Sequence, residues 1–219
     1  AFPLKKDREP GSTRFDVTGD LFGVTSDVLV KDRRLEAARL VIEVNNETVT
    51  LAGSAEVDAV PFEGSFVQPL GQQAPGALRG EVALTPASLQ TFGVTLPPGT
   101  VSGAGRGTLA LDIGGGQVPA FTLSSDLVGV DVQVPQLNWR KPAGGSGRLA
   151  VAGRLGRTPQ IDRLEIEGAG LEARGNVQLK AGGALDRVRF DRLRVGGWLD
   201  VPVDLIGTGQ GSPIEIALR

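Results

Sequence analysis

The chain has 219 residues, a formal net charge of −2 and 40% apolar residues, and it contains neither Cys nor His. Such a length and balance suit one large folded domain or two small ones, and the near-neutral charge offers no field for nucleic acid or an anionic membrane surface. The missing residue types remove Ser–His and Cys–His nucleophile pairs and every thiolate or imidazole metal site.

Gly is abundant at 32 residues and Pro adds 14, while the aromatics are eight Phe, two Trp and no Tyr. A chain without Cys is compatible with an oxidising compartment. No stretch approaches the roughly 20 apolar residues of a membrane helix, and the opening "AFPLKKDREP" lacks the apolar core of a signal peptide. The expectation is a piece of a longer chain, because "SPIEIALR" stops inside an alternating strand pattern.

From there, period-2 alternation recurs along the sequence and predicts about 15 strands, mostly antiparallel across short turns. "FDVTGDLFGV" from Phe15 alternates and then slips phase at Leu21 and Phe22. Leu40, Ile42 and Val44 alternate next, followed by Val49, Leu51, Ala55 and Val57. One helix is predicted in "LTPASLQTFGV", with Thr85 as N-cap, Pro86 in the first turn and Gly93 as the stop; Leu89 and Phe92 form its apolar side. "SGAGRG" (Ser102–Gly107) resembles a phosphate loop, but a dinucleotide site needs a helix after it and here a strand follows, so it reads as a turn. Leu109, Leu111 and Ile113 then lead into "GGG", another turn.

"FTLSSDLVGVDVQVP" begins at Phe121. Phe121, Leu123 and Leu127 hold one phase, and Val128, Val130, Val132 and Val134 hold the other, so it predicts two short strands or one bent strand. Trp139 could be a sugar platform or a loop anchor, and the anchor is preferred. Leu149, Val151 and Leu155 form the next strand. Leu164 and Ile166 precede a turn, and Leu171, Ala173, Val177 and Leu179 follow it. Val188 and Phe190, then Leu193 and Val195, then Leu199, Val201, Val203 and Leu205 complete the pattern.

Paired carboxylates are the catalytic option left by the composition. Glu165 and Glu167 sit at i and i+2, on one face of a strand and about 7 Å apart. They read as a solvated outer face, as do Asp200 and Asp204. "NET" at Asn46 fits a glycosylation sequon, a frequent chance match.

The chain also repeats itself. "FDVTGDLFGV" matches "FTLSSDLVGV", and the series Leu40, Ile42, Val49, Leu51, Gly53, Ala55, Val57 matches Leu164, Ile166, Leu171, Ala173, Gly175, Val177, Leu179. The repeats run roughly over 14–113 and 120–206, with the short helix at about 86–92. A sheet with one apolar face must cover it. A β-sandwich or barrel would cover the face with itself; a curved, trough-like sheet would cover it with lipid chains.

"LSSDLVGVDVQVPQLNWRKPAGGSGRLAV" resembles a segment of the large AsmA-like proteins of Gram-negative bacteria, of the YhdP type. The likeness rests on Ser125, Asp126, Leu127, Gly129, Pro135, Lys141, Pro142, Ala143 and Gly144, a "SDL-x-G" strand followed by a hydrophobic-Pro turn and "K-P-A-G". "LTPASLQTFGVTLPPGTVSGAGRGTL" is similar to the short helix and strand entry of the same family. "QLNW" stands where the family carries a more proline-rich turn.

The resemblance implies an all-β fold, an elongated curved antiparallel sheet forming an open hydrophobic groove from repeated strand hairpins. It implies a periplasmic segment of a protein anchored in the inner membrane by a helix outside this fragment. Its partners would be phospholipid acyl chains and further segments of the same chain, with no enzyme activity, cofactor or nucleic acid. Leu40, Ile42, Val44, Val49, Leu51, Val57, Leu109, Leu111, Ile113, Phe121, Leu123, Leu149, Val151, Leu164, Ile166, Leu171, Ala173, Val177, Leu179, Val188, Phe190, Leu193, Val195, Leu199, Val201 and Val203 would line the groove. The alternative is a structural or adhesive β-repeat protein with a dry, self-packed core.

Overall fold

The computed structural model describes residues 14–27, 33–71, 74–92, 94, 96–116, 118–155, 160–180, 185–207 and 215–218. Five strands open the chain: β1 (Asp16–Ser26), β2 (Leu35–Asn45), β3 (Thr48–Val57), β4 (Val60–Pro69) and β5 (Gly76–Leu84). After helix α1 (Pro86–Thr91) come β6 (Val101–Gly103), β7 (Gly105–Ile113), β8 (Ala120–Ser125), β9 (Val130–Val134) and β10 (Trp139–Lys141). β11 (Arg148–Arg154), β12 (Gln160–Gly168), β13 (Leu171–Leu179), β14 (Leu185–Val195), β15 (Leu199–Ile206) and β16 (Glu215–Leu218) end it.

Thirteen strands form one antiparallel sheet in the order β1-β2-β3-β4-β5-β7-β8-β11-β12-β13-β14-β15-β16. The sheet is curved and does not close into a barrel. β10, β9 and β6 form a separate three-stranded sheet. At about 4.8 Å per strand the large sheet measures roughly 60 Å across its strands. Its neighbours are almost all consecutive in sequence because short turns permit only antiparallel hairpins. Two of those turns use paired left-handed residues, Asp58–Ala59 and Ala169–Gly170, the geometry that suits strand twist in a two-residue hairpin.

Helix α1 begins as expected. Thr85 Oγ1 accepts from the Ser88 backbone N–H at 3.0 Å, and Ser88 Oγ accepts from the Thr85 N–H at 2.8 Å, a reciprocal cap that satisfies two orphan donors. The proposed stop, Gly93, lies outside the described residues. Arg33 ties the helix end to the sheet: it donates to the Thr91 carbonyl at 2.7 Å, pairs with Asp58 at 2.8 Å and lies over the Phe92 ring.

The two matched stretches fold differently. β1 is one continuous strand through its phase slip, with Gly23 at φ +60°. The second copy breaks into two strands: β8 belongs to the large sheet and β9 to the small one. Val128, placed by the sequence among the alternating residues of a strand, lies instead in the intervening turn and is exposed. Leu155 also leaves the pattern, since β11 shifts register between Ala152 and Gly153 and ends at Arg154. Between the matched stretches, the second half carries β9, β10 and β11, which have no counterpart between β1 and β2.

Both excursions from the large sheet, 85–104 and 126–147, leave at the same rim. The register Leu84↔Gly105 and the pair Leu149↔Ser125 put their roots side by side. The 58–59, 169–170 and 196–198 turns share that rim, while the 46–47 and 114–116 turns lie at the opposite one.

Candidate functional site

The apolar face is the feature to build from. Register carries it across the sheet: Val44 opposes Val49, and Ile42 opposes Leu51. Leu111 opposes Phe121, and Leu109 opposes Leu123. Val151 lies between Leu123 and Leu164, and Leu149 opposes Ile166. Farther on, Ile166 opposes Ala173, Ala173 opposes Leu193, and Leu171 opposes Val195. Val177 opposes Val188, Phe190 opposes Val203, Leu193 opposes Val201 and Val195 opposes Leu199. Leu179, at the end of β13, pairs with Leu185 across a register shift. Leu40 lies in the middle of β2, Val57 at the rim shared by the excursions, and Ile113 toward the other.

β4 and β5 were missed by the sequence reading. They contribute Val60, Phe62, Phe66, Leu78 and Val82, of which Val60, Phe62 and Val82 form a buried cluster. Their alternation is masked by glycine on the apolar face. Gly64 opposes Gly80, and a methyl group on either would meet the Phe62 ring and opposing backbone inside 3.0 Å. The Phe66 ring similarly covers Gly76. Glycine read as an apolar-face position exposes both strands: Phe62 and Phe66 flank Gly64 at two residues, and Leu78 and Val82 flank Gly80.

The face divides into two sections. Over β13, β14 and β15 it is covered. Trp139, Leu171, Ala173, Val188, Phe190, Leu193, Val195 and Val203 form one buried cluster, with Val132, Val134 and Leu137 from the small sheet and its 3-10 turn packed against it. Trp139 is an anchor, 5% exposed, and its indole N–H donates to the Ala169 carbonyl at 3.1 Å. Over β2 to β7 the face bears a shallow cleft of about 40 Å³, which runs from the buried Leu35 and Leu40 past the half-buried Leu51, Phe66 and Leu78 to Ile113.

A knot of hydrogen bonds roots the covering sheet. Ser125 Oγ donates to the Arg106 carbonyl at 2.6 Å and accepts from the Leu127 N–H at 3.0 Å. Asp126 accepts from the Val128 N–H at 3.0 Å, and the Gly129 N–H donates to Ala143 O at 2.9 Å. Leu127 and Gly129 take left-handed conformations, φ +57° and +86°. The Lys141 ammonium, 1% exposed, donates to the carbonyls of Leu127 and Val130. Residues of "SDL-x-G" and "K-P-A-G" therefore meet in one place and hold the chain where it leaves the large sheet.

Burial pushes the Lys141 ammonium below its ordinary pKa, against the pull of Asp126 and Asp131. A folded pKa below the unfolded value means the unfolded chain binds the extra proton, so this group's contribution to stability rises as pH climbs through the folded value toward about 10.4. Lys141→Met leaves two carbonyls without their donor, at about 1–3 kcal/mol for a buried group. The loss measured by urea melts should be larger at high pH than at neutral pH. An equal loss at both would show that the ammonium is not desolvated.

The opposite face is charged and laddered. Arg192 grips Asp200 with two bonds, at 3.0 and 2.8 Å, and Arg154 grips Asp162 with two at 3.0 Å. Glu165 pairs with Arg163 at 2.8 Å and Glu167 with Arg174 at 3.2 Å. The hydrogen bond from Arg163 holds the Glu165 carboxyl below the usual range. Both glutamates thus face away from the apolar cleft, bound to arginines. Asp204 departs from the expected solvated position: it is buried, between Arg187 at 3.4 Å and Arg189 at 3.6 Å, because long side chains on the neighbouring strand fold over it. From β1 to β7 the charged face holds a concavity of about 800 Å³ bordered by Thr25, Glu36, Glu56, Glu63, Glu81 and Arg106. Among the described residues no group of three acidic side chains is placed to hold a metal ion, and no helix is long and apolar enough to cross a membrane.

"SGAGRG" is the link between the two sheets, with β6 ending at Gly103 and β7 starting at Gly105; no helix follows it to present N–H groups to a phosphate. Asn46 is in the β2–β3 turn, where its side chain accepts from the Phe15 N–H at 2.9 Å. No family model, no curated protein and no solved structure matches this chain.

Proposed function

We propose that the chain is a lipid-conducting segment, in which phospholipid acyl chains slide along the apolar face between inner and outer membranes. The observation that carries this is the open, curved sheet with one continuous apolar face, on which a shallow cleft of about 40 Å³ runs from Leu35 to Ile113. Acyl chains suit such a surface because apolar burial is non-directional. Each CH₂ covered contributes about 0.8 kcal/mol, so hold comes from area and not from a head-group site. The AsmA-like resemblance supports a periplasmic location, an inner-membrane anchor outside this fragment and further segments of the same chain extending the trough beyond β16. The chain's own part in transport is passive and non-enzymatic, with no cofactor.

A second reading, a structural β-repeat with a dry core, is favoured by one observation: the small sheet already seals part of the face against water. Leu51→Asp separates the two. On the lipid reading the variant stays folded, loses most co-purified phospholipid by mass spectrometry of extracts, and fails to support transport in the full-length protein. A wild-type chain that co-purifies no lipid, or a Leu51→Asp variant that retains it, would sink the lipid reading.

A further inference from the structure

The small sheet touches the apolar face without pairing to it. Among the described residues, β10, β9 and β6 share no backbone ladder with the large sheet. Val101 opposes Val132, and Trp139 opposes Val134, so one side of the small sheet is apolar. Val132, Val134, Leu137 and Trp139 pack from that side onto Leu171, Ala173, Leu193 and their neighbours. The other side is polar, with the exposed Arg140 gripping Asp131. The chain passes between the two sheets at the rim shared by the excursions, and three of the passes are stitched into a narrow neck. The Ala104 N–H donates to the Gly129 carbonyl at 3.0 Å, and the Gly129 N–H donates to the Ala143 carbonyl at 2.9 Å. Gly103 and Gly129, at φ +83° and +86°, let the passes lie this close: a Cβ on Gly103 would meet the Gly129 carbonyl, and one on Gly129 the Ala104 carbonyl. A fourth pass enters β6 from helix α1, which Arg33 holds to the same rim.

Attachment along one side, with apolar contact and no ladder beyond it, is the build of a flap. We infer that the small sheet is a hinged gate: it turns as a body about the Ala104–Gly129–Ala143 neck and uncovers the apolar face of β13 to β15 for acyl chains. This rests on the lipid-conducting reading and adds control of passage to it. An acyl chain sliding from the cleft across β8, β11 and β12 meets the small sheet at Trp139 and Leu171. Lipid and the small sheet need the same surface, so each excludes the other, and lipid that binds the open form shifts the population toward it. Opening gives up the apolar contact and the Trp139–Ala169 hydrogen bond. The ladder within the small sheet stays, and the Ser125 and Lys141 bonds fix the neck, so the motion is a rotation and not a release.

Trp198→Phe leaves Trp139 as the one indole of the chain, and its N–H reports the closed position. Hydrogen exchange followed by NMR, without lipid, reads the hinge. The expected indole N–H is at least about tenfold less protected than the backbone amides of β13 and β14, with a weaker urea dependence because opening exposes only part of the surface. The Gln133 N–H, bonded to the Thr100 carbonyl at 2.8 Å within the excursion, keeps its protection while the indole opens. Vesicles of phosphatidylcholine brominated along its acyl chains read the gating. Bound lipid should quench most of the Trp139 emission, and the unbrominated lipid should lower the protection of the indole N–H further. An indole that exchanges only together with β13 and β14, or only with loss of the Gln133 protection, would overturn the hinge. Lipid that is bound by mass spectrometry of the washed protein, yet leaves Trp139 unquenched and protected, would overturn the gate and leave the lipid-conducting reading standing. A protein that binds no phosphatidylcholine would overturn both.

Discussion

Ala173→Asp is expected to destabilise the protein by upward of about 3 kcal/mol, the scale of leaving a buried charge without a partner. Ala173 is 1% exposed. It lies between Ile166 and Leu193 in the register, in the cluster that Trp139 covers. Arg174 of β13 and Arg187, Arg189 and Arg192 of β14 pair with acids on the other face, so among the described residues these cations are turned away from Ala173. The carboxyl would respond by raising its pKa above the unfolded value of about 3.9. Its penalty is then fully present above the folded pKa and is relieved as pH falls through it. Urea melts at neutral and acid pH should show the variant's deficit shrinking toward acid. Leu51→Asp, in the cleft, is expected to cost much less, because water can reach a carboxylate there. Equal large losses at both positions would mean that the whole face is dry.

That contrast could not be read from the sequence, although the face itself could. Leu40, Ile42, Leu51 and Ala173 announce themselves by alternation, because a strand with one wet side must place every second residue inward. Alternation says nothing about which residues a distant segment later covers. The covering segment was hidden inside "FTLSSDLVGVDVQVP", where the phase slip was visible but its outcome was not. The same slip in "GDLFGV" keeps one strand, whereas "SDLVGV" changes sheets. The difference lies in Lys141, 14 residues beyond Leu127, whose ammonium holds the turn carbonyls in place. Local pattern cannot supply a contact of that separation. β4 and β5 were lost for another reason: Gly64, Gly76 and Gly80 stand where apolar side chains were sought, and neighbouring phenyl rings fill their place. Asp204 looked like any outward acid, and only the strand beside it shows two arginines closing over it.

Trp139→Ala is expected to cost about 3–5 kcal/mol, the range for removing a buried large aromatic. The indole fills the junction between two sheets that share no backbone ladder, and it holds the Ala169 carbonyl in the β12–β13 turn. Without it the small sheet keeps its own three-strand hydrogen bonds but loses its grip on Leu171, Val195 and their neighbours. Trp139→Phe retains most of the apolar area and should lose about 1 kcal/mol, the worth of the missing hydrogen bond. Trp198, 65% exposed at the same rim, is the internal control, and Trp198→Phe should change stability by less than about 0.5 kcal/mol. Fluorescence follows the same division: the wild-type emission sums one buried and one exposed indole, and Trp139→Ala leaves the exposed, red-shifted one. On the proposed lipid-conducting reading, undocking extends the open face over β13 to β15, and the variant should then bind more phospholipid per chain than wild type. A loss near 1 kcal/mol for the alanine variant would mean that the small sheet is held by its roots at Ser125 and Lys141 and not by its contact with the apolar face.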